Sequence, residues 1–262
     1  MITKIVNKSA ELFRYREMFV GLVSREVRAR YKGSALGFLW SLLNPLLMML
    51  IYTLIFSVYM RINMPNFSFF LFCGLLPWTW FSTSILNASA SVVANGSLIK
   101  KVYFPMEILP AVSVTTNLVN YVFSMPILFL FMGISGLSFT WNLLFLPLLL
   151  LIQYFLTLGF SLILSTLNAF YRDVEQLLNP LLLAWFYLTP VIYPLTTIPE
   201  KFKPLLYLNP MGPLIVSYQN IFYYGQPPAL GMLLYCVGFG VVMFLLGYAI
   251  FYRKKFVFAE VI

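Results

Sequence analysis

Few side chains in this 262-residue chain could do acid–base or metal chemistry, and their positions do not suit it. There is no histidine. The eight acidic residues are Glu11, Glu17, Glu26, Glu107, Asp173, Glu175, Glu200 and Glu260. All lie at the edges of long apolar runs, in one proline-rich connection or in the tails. Ion-coupled carriers mark their path with ionisable groups inside the membrane, and none stands mid-run here. No carboxylate pair or His/Cys cluster offers a reaction centre. No Gly-Lys-Ser/Thr occurs, so the chain has no phosphate-binding loop of its own. Any uphill work must draw energy from another subunit.

Two other groups of residues could act. Tyr52, Phe56 and Tyr59 fall on one helical face, and Phe186 and Tyr193 share another with Pro190 between them. Aromatic rings offer flat apolar faces and tyrosine adds a hydroxyl, a lining suited to sliding sugars. The alternative is an ordinary aromatic belt at the membrane surface. The second group is the short basic, aromatic stretch from Leu98 to Phe104, with Lys100, Lys101 and Tyr103. It reads either as a docking knob for a partner, with Tyr103 and Phe104 as anchors, or as a plain topogenic loop. Pro105 and Glu107 behind it suit the start of a helix.

The elements that must position these residues are membrane helices. The chain is 61% hydrophobic and 10% charged, against roughly 25% charged in a soluble domain. Several uncharged runs exceed the ~20 residues needed to cross a bilayer. The fold class is therefore an all-α integral membrane protein in a single domain. Spans are expected at 36–59, 69–93, 108–132, 142–169, 177–192 and 229–252. The break after the third falls at Gly133 to Thr140. Asp173 and Gln176 have capping-box spacing for the fifth. Residues 10–32 read as an amphipathic interfacial helix. Leu12, Tyr15, Phe19, Val23 and Val27 form its apolar face, opposite Glu11, Arg14, Glu17, Gly21, Arg25 and Arg28. Arg16, Glu26 and Arg30 interrupt that face, so a bend or end is expected near Ser24. Residues 205–224 are apolar but broken by Asn209, Pro210, Gly212 and Pro213, and read as re-entrant or interfacial half-helices between spans five and six.

Charge sets the orientation. With six spans and both termini inside, fourteen of the 17 basic residues face the cytoplasm and only Arg61, Lys201 and Lys203 lie outside. A seventh crossing would weaken this bias. The net charge of +9 reflects contact with anionic lipid headgroups and topology, not nucleic acid. Met1 to Lys32 holds no apolar core of signal length, so the first span is expected to be an uncleaved anchor. Cys73 and Cys236 sit in apolar runs and are expected to act as small hydrophobes rather than as a disulfide.

On these residues the chain resembles a known family. The stretches are Arg30-Tyr31-Lys32-Gly33-Ser34, Leu36-Gly37-Phe38-Leu39-Trp40 and Asn44-Pro45-Leu46, then Leu76-Pro77-Trp78 and Lys101-Val102-Tyr103-Phe104-Pro105. Tyr171-Arg172-Asp173-Val174, Thr189-Pro190-Val191-Ile192-Tyr193-Pro194 and Leu208-Asn209-Pro210-Met211 follow. Together they resemble the permease subunits of type-2 ABC exporters for O-antigen, capsule or teichoic acid, of the Wzm kind, over nearly the whole chain. The resemblance implies a homodimer in the bacterial inner (cytoplasmic) membrane above two ATP-binding-cassette subunits. ATP and Mg would be bound there, with no cofactor in this chain. It implies cargo linked to undecaprenyl diphosphate. It makes Leu98, Lys100, Lys101, Tyr103, Phe104 and Glu107 the coupling element and 199–224 the external gate helices. Tyr52, Phe56, Tyr59, Phe186 and Tyr193 would line the channel. Other readings remain open: an exporter of small lipophilic compounds or lipids on the same fold, or an anchoring subunit for a glycan-making enzyme. A passive channel lacks its filter signature.

Overall fold

A computed structural model describes residues 14–34 and 36–261. Its regular elements are all helical, with no strand among these residues. The elements are α1 (Arg16–Tyr31), α2 (Trp40–Thr53, continued by a π-helical turn Leu54–Tyr59), α3 (Phe67–Ala94), α4 (Gly96–Lys101) and α5 (Ile108–Ile134). Then come α6 (Leu146–Phe170, led by a 3-10 turn Trp141–Phe145), α7 (Asp173–Leu188), a 3-10 segment Glu200–Leu208 and α8 (Met211–Gln219, continued by Asn220–Tyr224). The chain closes with α9 (Leu230–Lys254), a 3-10 turn Lys255–Val257 and α10 (Phe258–Val261).

The axis of the bundle is α3. Its 28 residues reach about 42 Å at the helical rise. Within its most apolar stretch 78% of residues are buried inside the chain, against 11% for the first span. Small residues allow the other helices to close on it: Ser84, Ala88, Ser89 and Ser91 are all buried. Pro77 interrupts its ladder of backbone hydrogen bonds. There Gln153 of α6 donates its side-chain amide to the Pro77 carbonyl at 2.7 Å. Cys73 and Cys236 are buried as free thiols in the main core around this axis.

Among the described residues, five helical stretches are long and apolar enough to cross a membrane: Trp40–Tyr59, Phe67–Ala94, Ile108–Ile134, Trp141–Phe170 and Leu230–Val257. The expected span at 177–192 is not among them. It corresponds to α7, whose 16 residues reach about 24 Å, short of the ~30 Å apolar core. It stops at Thr189 because Pro190 follows, and the residue before a proline is driven to extended backbone. The capping box expected at Asp173 also does not form. Asp173 is the first helical residue, with Arg172 at the cap and no side-chain bond there. The Asn168 side chain instead accepts from the Glu175 N–H at 3.3 Å. Asp173 and Glu175 remain in the first turn, where the helix dipole favours them.

The segment after α7 turns back into the bundle. Asn209 bonds Trp185 and Thr189, and Trp185 packs on Trp78 and Phe81, about midway along α3. From there α8 runs antiparallel to α3 with all nine of its residues buried. Ile215 and Gln219 crowd Gly74, and Tyr223 meets Phe70 edge-on at 5.3 Å. Gly225, at φ +62°, ends this run beside Thr140, and its carbonyl accepts from Asn142 at 2.7 Å. The bundle thus has a far end, around Pro65, Asn142 and Gly225, and a basic end, around Arg25, Lys101 and Arg253.

At the basic end α1 lies across α3, α5 and α7. Tyr15, Phe19, Val23 and Val27 are half-buried, while Arg14, Glu17, Gly21, Arg25 and Arg28 are exposed. Leu12, Glu11 and the rest of 10–13 fall outside the described residues. The helix runs unbroken through Ser24 to Tyr31. The bend expected there is absent because the polar interruptions find partners: Arg30 donates to the Asn117 side chain at 2.8 Å, and Glu26 bonds Ser113.

Candidate functional site

Two regions gather the residues singled out by sequence. The first is a corner at the basic end. Val102 is extended, so the chain between α4 and α5 presents successive side chains to opposite sides. Tyr103 is 87% exposed, whereas Phe104 is 5% exposed. Only the first ring is open to solvent. The second packs into the chain's own core with Val92, Ile99, Leu109, Phe251 and Phe258. Lys100 and Lys101 are exposed and Leu98 is half-buried. Glu107 stands at the N-cap position of α5 with no side-chain cap bond there; it is buried, with Lys255 at 2.9 Å. The Tyr15 hydroxyl of α1 donates to the Tyr103 carbonyl at 3.4 Å.

This split assigns different roles to the two rings. Tyr103→Ala is expected to leave the folded protein unchanged, while Phe104→Ala empties a packed site and costs about 3 kcal/mol. Thermal unfolding of the two purified variants separates them.

The second region is an aromatic seam between α2, α3 and α7. Tyr52 stacks on Phe186 at 5.5 Å and tilts against Phe56 at 6.3 Å. Trp78 meets Phe186 at 5.6 Å and Trp185 at 6.3 Å. Phe81 and Phe160 close on Trp185 at 5.2 and 5.4 Å. Of the five predicted lining residues, Tyr52, Phe56 and Phe186 come together here. Tyr193 stands to one side and donates to the Tyr187 carbonyl at 3.0 Å. Tyr59 is 73% exposed on the π-helical turn and joins none of these rings. Sequence reasoning missed Trp78, Phe81 and Trp185. Leu76-Pro77-Trp78 was legible as a motif, but nothing marked its ring as part of the seam.

Beneath the seam Asn209 pins the turn into α8. Its side-chain oxygen accepts from the Trp185 indole at 2.6 Å and from the Met211 N–H at 3.1 Å. Its amide donates to the Thr189 hydroxyl at 2.8 Å and the Leu188 carbonyl at 3.4 Å.

Two cavities flank α1. One of about 520 Å³ lies between α1, α3, α5 and α7, lined by Arg25, Glu26, Asn87, Asn95 and Glu175 among others. The other, about 330 Å³, lies between α2, α3 and α5. Arg30 borders both. Burial pushes the Glu26 carboxyl above its ordinary range, opposed by Arg30, the Ser113 hydrogen bond and Arg25. An acid with a raised pKa in the folded state holds more protons there. Its contribution is full below its ordinary value of 4.5 and is lost as pH rises through the raised value. The seating of α1 should therefore loosen from acid toward neutral pH, and Glu26→Gln should flatten that dependence. Limited proteolysis of α1 against pH, in both proteins, measures it.

Comparison with known proteins bears on both regions. The family model described as ABC-2 type transporter matches residues 17–223. The chain is 43% identical over 252 residues to "O-antigen export system permease protein RfbA" of Myxococcus xanthus, covering 95% of this chain and 97% of that protein. It is 35% identical to a protein of the same name from Klebsiella pneumoniae, covering 94% and 95%. It is 28% identical over 203 residues to "Polysialic acid transport protein KpsM" of Escherichia coli, covering 72% and 75%. A match that runs from α1 through the corner at the basic end and the seam to the end of α8 places this chain in the ABC-2 type transporter family.

Proposed function

We propose that this chain is the membrane-spanning subunit of an ATP-driven exporter that moves lipid-linked polysaccharide, O-antigen or a close relative, out of the cytoplasm. The observation that carries the reading is near-full-length likeness to a permease named for O-antigen export. ATP and Mg are bound by separate ATP-binding-cassette subunits docked at the basic end. Both termini face the cytoplasm of the bacterial inner membrane, since the basic residues crowd that end. The sixth crossing is made by α7 together with the segment that follows it, and α8 is a re-entrant helix entered from outside. Two copies form the channel. The first span supports this, because only 11% of its apolar stretch is covered within one chain. Tyr52, Phe56, Tyr59 and Tyr193 line the passage and Phe186 backs it, with undecaprenyl diphosphate as the lipid carrier.

The reading is tested in cells that keep glycan synthesis but lack this chain. Lipid-linked polymer should accumulate inside and vanish from the outer face. Polymer still reaching the surface would overturn the assignment and favour small lipophilic cargo. At the corner, Tyr103→Ala should lower export by about tenfold with the protein still present, a loss typical of two linked sites. Surface polymer per unit of permease measures it.

A further inference from the structure

The C-terminal basic cluster, Arg253-Lys254-Lys255, reads as a topogenic signal, and that role needs only exposed charge near the headgroups. Arg253 and Lys254 fit it, being exposed. Lys255 does not. Its side chain is 14% exposed and its ammonium lies 2.9 Å from the Glu107 carboxylate, itself 7% exposed and 148 residues away. The same ammonium sits 4.6 Å over the Tyr252 ring and 5.5 Å over Phe256. Two charges are taken out of water to make this contact, which is costly unless both are held.

The backbone is shaped to deliver it. At Lys255 the α-helix tightens into the 3-10 turn Lys255–Val257. This turn swings Phe258 inward, where it is fully buried, 5.2 Å from Phe251 and 6.1 Å from Phe170. Phe258 belongs to the same cluster as Ile99 of α4 and Phe104 behind Tyr103. The residues before and after the exposed Tyr103 are thus fixed to the end of α9 twice, by an ion pair and by an aromatic plug.

We propose that Lys255 and Phe258 are positioning residues of the coupling corner, holding α4 and Tyr103 against α9 so that motion of a docked ATPase is passed into the bundle. The inference rests on the exporter reading above. Its test uses the full permease co-expressed with its ATPase subunits. Four variants are compared with wild type: E107Q, K255M, K255R and the exchanged pair E107K/K255E. Three quantities are read, namely ATPase subunit retained on purification, ATP hydrolysed per complex, and polymer exported per complex.

E107Q and K255M should each retain the ATPase and continue to hydrolyse ATP, while export per complex falls by about tenfold. K255R should keep most of the export, and the exchanged pair should recover much of what the single variants lose. Wild-type export in the single variants would overturn the proposal. So would a fall in folded complex with export per complex unchanged, since the pair would then only stabilise the fold. Failure of the exchanged pair to recover any export would also overturn it. If K255M does not accumulate, E107Q carries the same test, because it keeps the shape and removes only the charge. Wild-type complex that hydrolyses ATP but moves no polymer would instead sink the exporter reading, so the two failures are told apart.

Discussion

Gly247→Leu should all but abolish folded protein in the membrane. The helices α6 and α9 cross with their backbones touching. A Cβ at Gly247 would land on the Gly159 carbonyl oxygen, and one at Gly159 would lie 2.5 Å from the Met243 carbonyl carbon. Neither neighbour is a flexible side chain that could move aside. Lipid supplies no hydrophobic drive between helices, so close packing through small residues does most of the holding. Overpacking a good fit usually costs 1–3 kcal/mol, and a clash of main chain with main chain should exceed about 3 kcal/mol. Gly240→Ala is the control on the same helix, since its Cβ would sit 3.6 Å from the Ile152 carbonyl, an ordinary contact. Size-exclusion profiles of fluorescently tagged protein in detergent report the result. A Gly247→Leu profile matching wild type would show that the crossing is looser than described.

Asn209→Leu is the second large effect. The substitution leaves the Trp185 indole N–H and the Met211 N–H without their acceptor and removes the donor to Thr189 and Leu188. Orphaning the buried Met211 N–H and the half-buried Trp185 indole costs about 1–3 kcal/mol each, and bonds inside membrane bundles average at the low end, while the exposed Leu188 carbonyl can turn to water. A total of about 2–4 kcal/mol corresponds to a fall in Tm of about 5–10 °C for a chain of this size. Asn209→Asp keeps the acceptor and should fall between. New protease sensitivity within 195–208 should accompany the loss, because Asn209 ties that stretch to the end of α7. An Asn209→Leu protein melting within a degree of wild type would mean that the node is not holding the turn.

Much of this architecture can be read from the chain itself, because period and charge carry it. The expected spans at 108–132 and 229–252 meet α5 and α9, whose ends are marked by Glu107, the Gly133 to Gly136 break and the final basic cluster. The faces of α1 are legible from helical spacing alone, and so is the meeting of Tyr52 with Phe56. Three features are not legible, each for a physical reason. Asn209, Pro210, Gly212 and Pro213 mark half-helices between spans five and six, but not that α8 is wholly buried, which follows from the room Gly74 and Gly212 give it beside α3 and the Leu206 side chain. The Asp173 cap fails because Asn168, from the preceding helix, takes over a first-turn N–H across a two-residue turn. Lys255 looks like its neighbours until the 3-10 turn that buries it is seen. Sequence spacing reports a residue's own helix well. It does not report what a helix far along the chain will bring to meet it.

The most direct test of the exporter reading is transport by the purified complex. The permease and its ATPase subunits are reconstituted in vesicles with the ATPase facing out, and lipid-linked polysaccharide is supplied in the outer leaflet. ATP should drive the glycan to the lumen, where an external glycosidase no longer reaches it, and Tyr103→Ala should slow this protection about tenfold. Glycan that stays fully digestible while ATP is consumed by the wild-type complex would contradict the account.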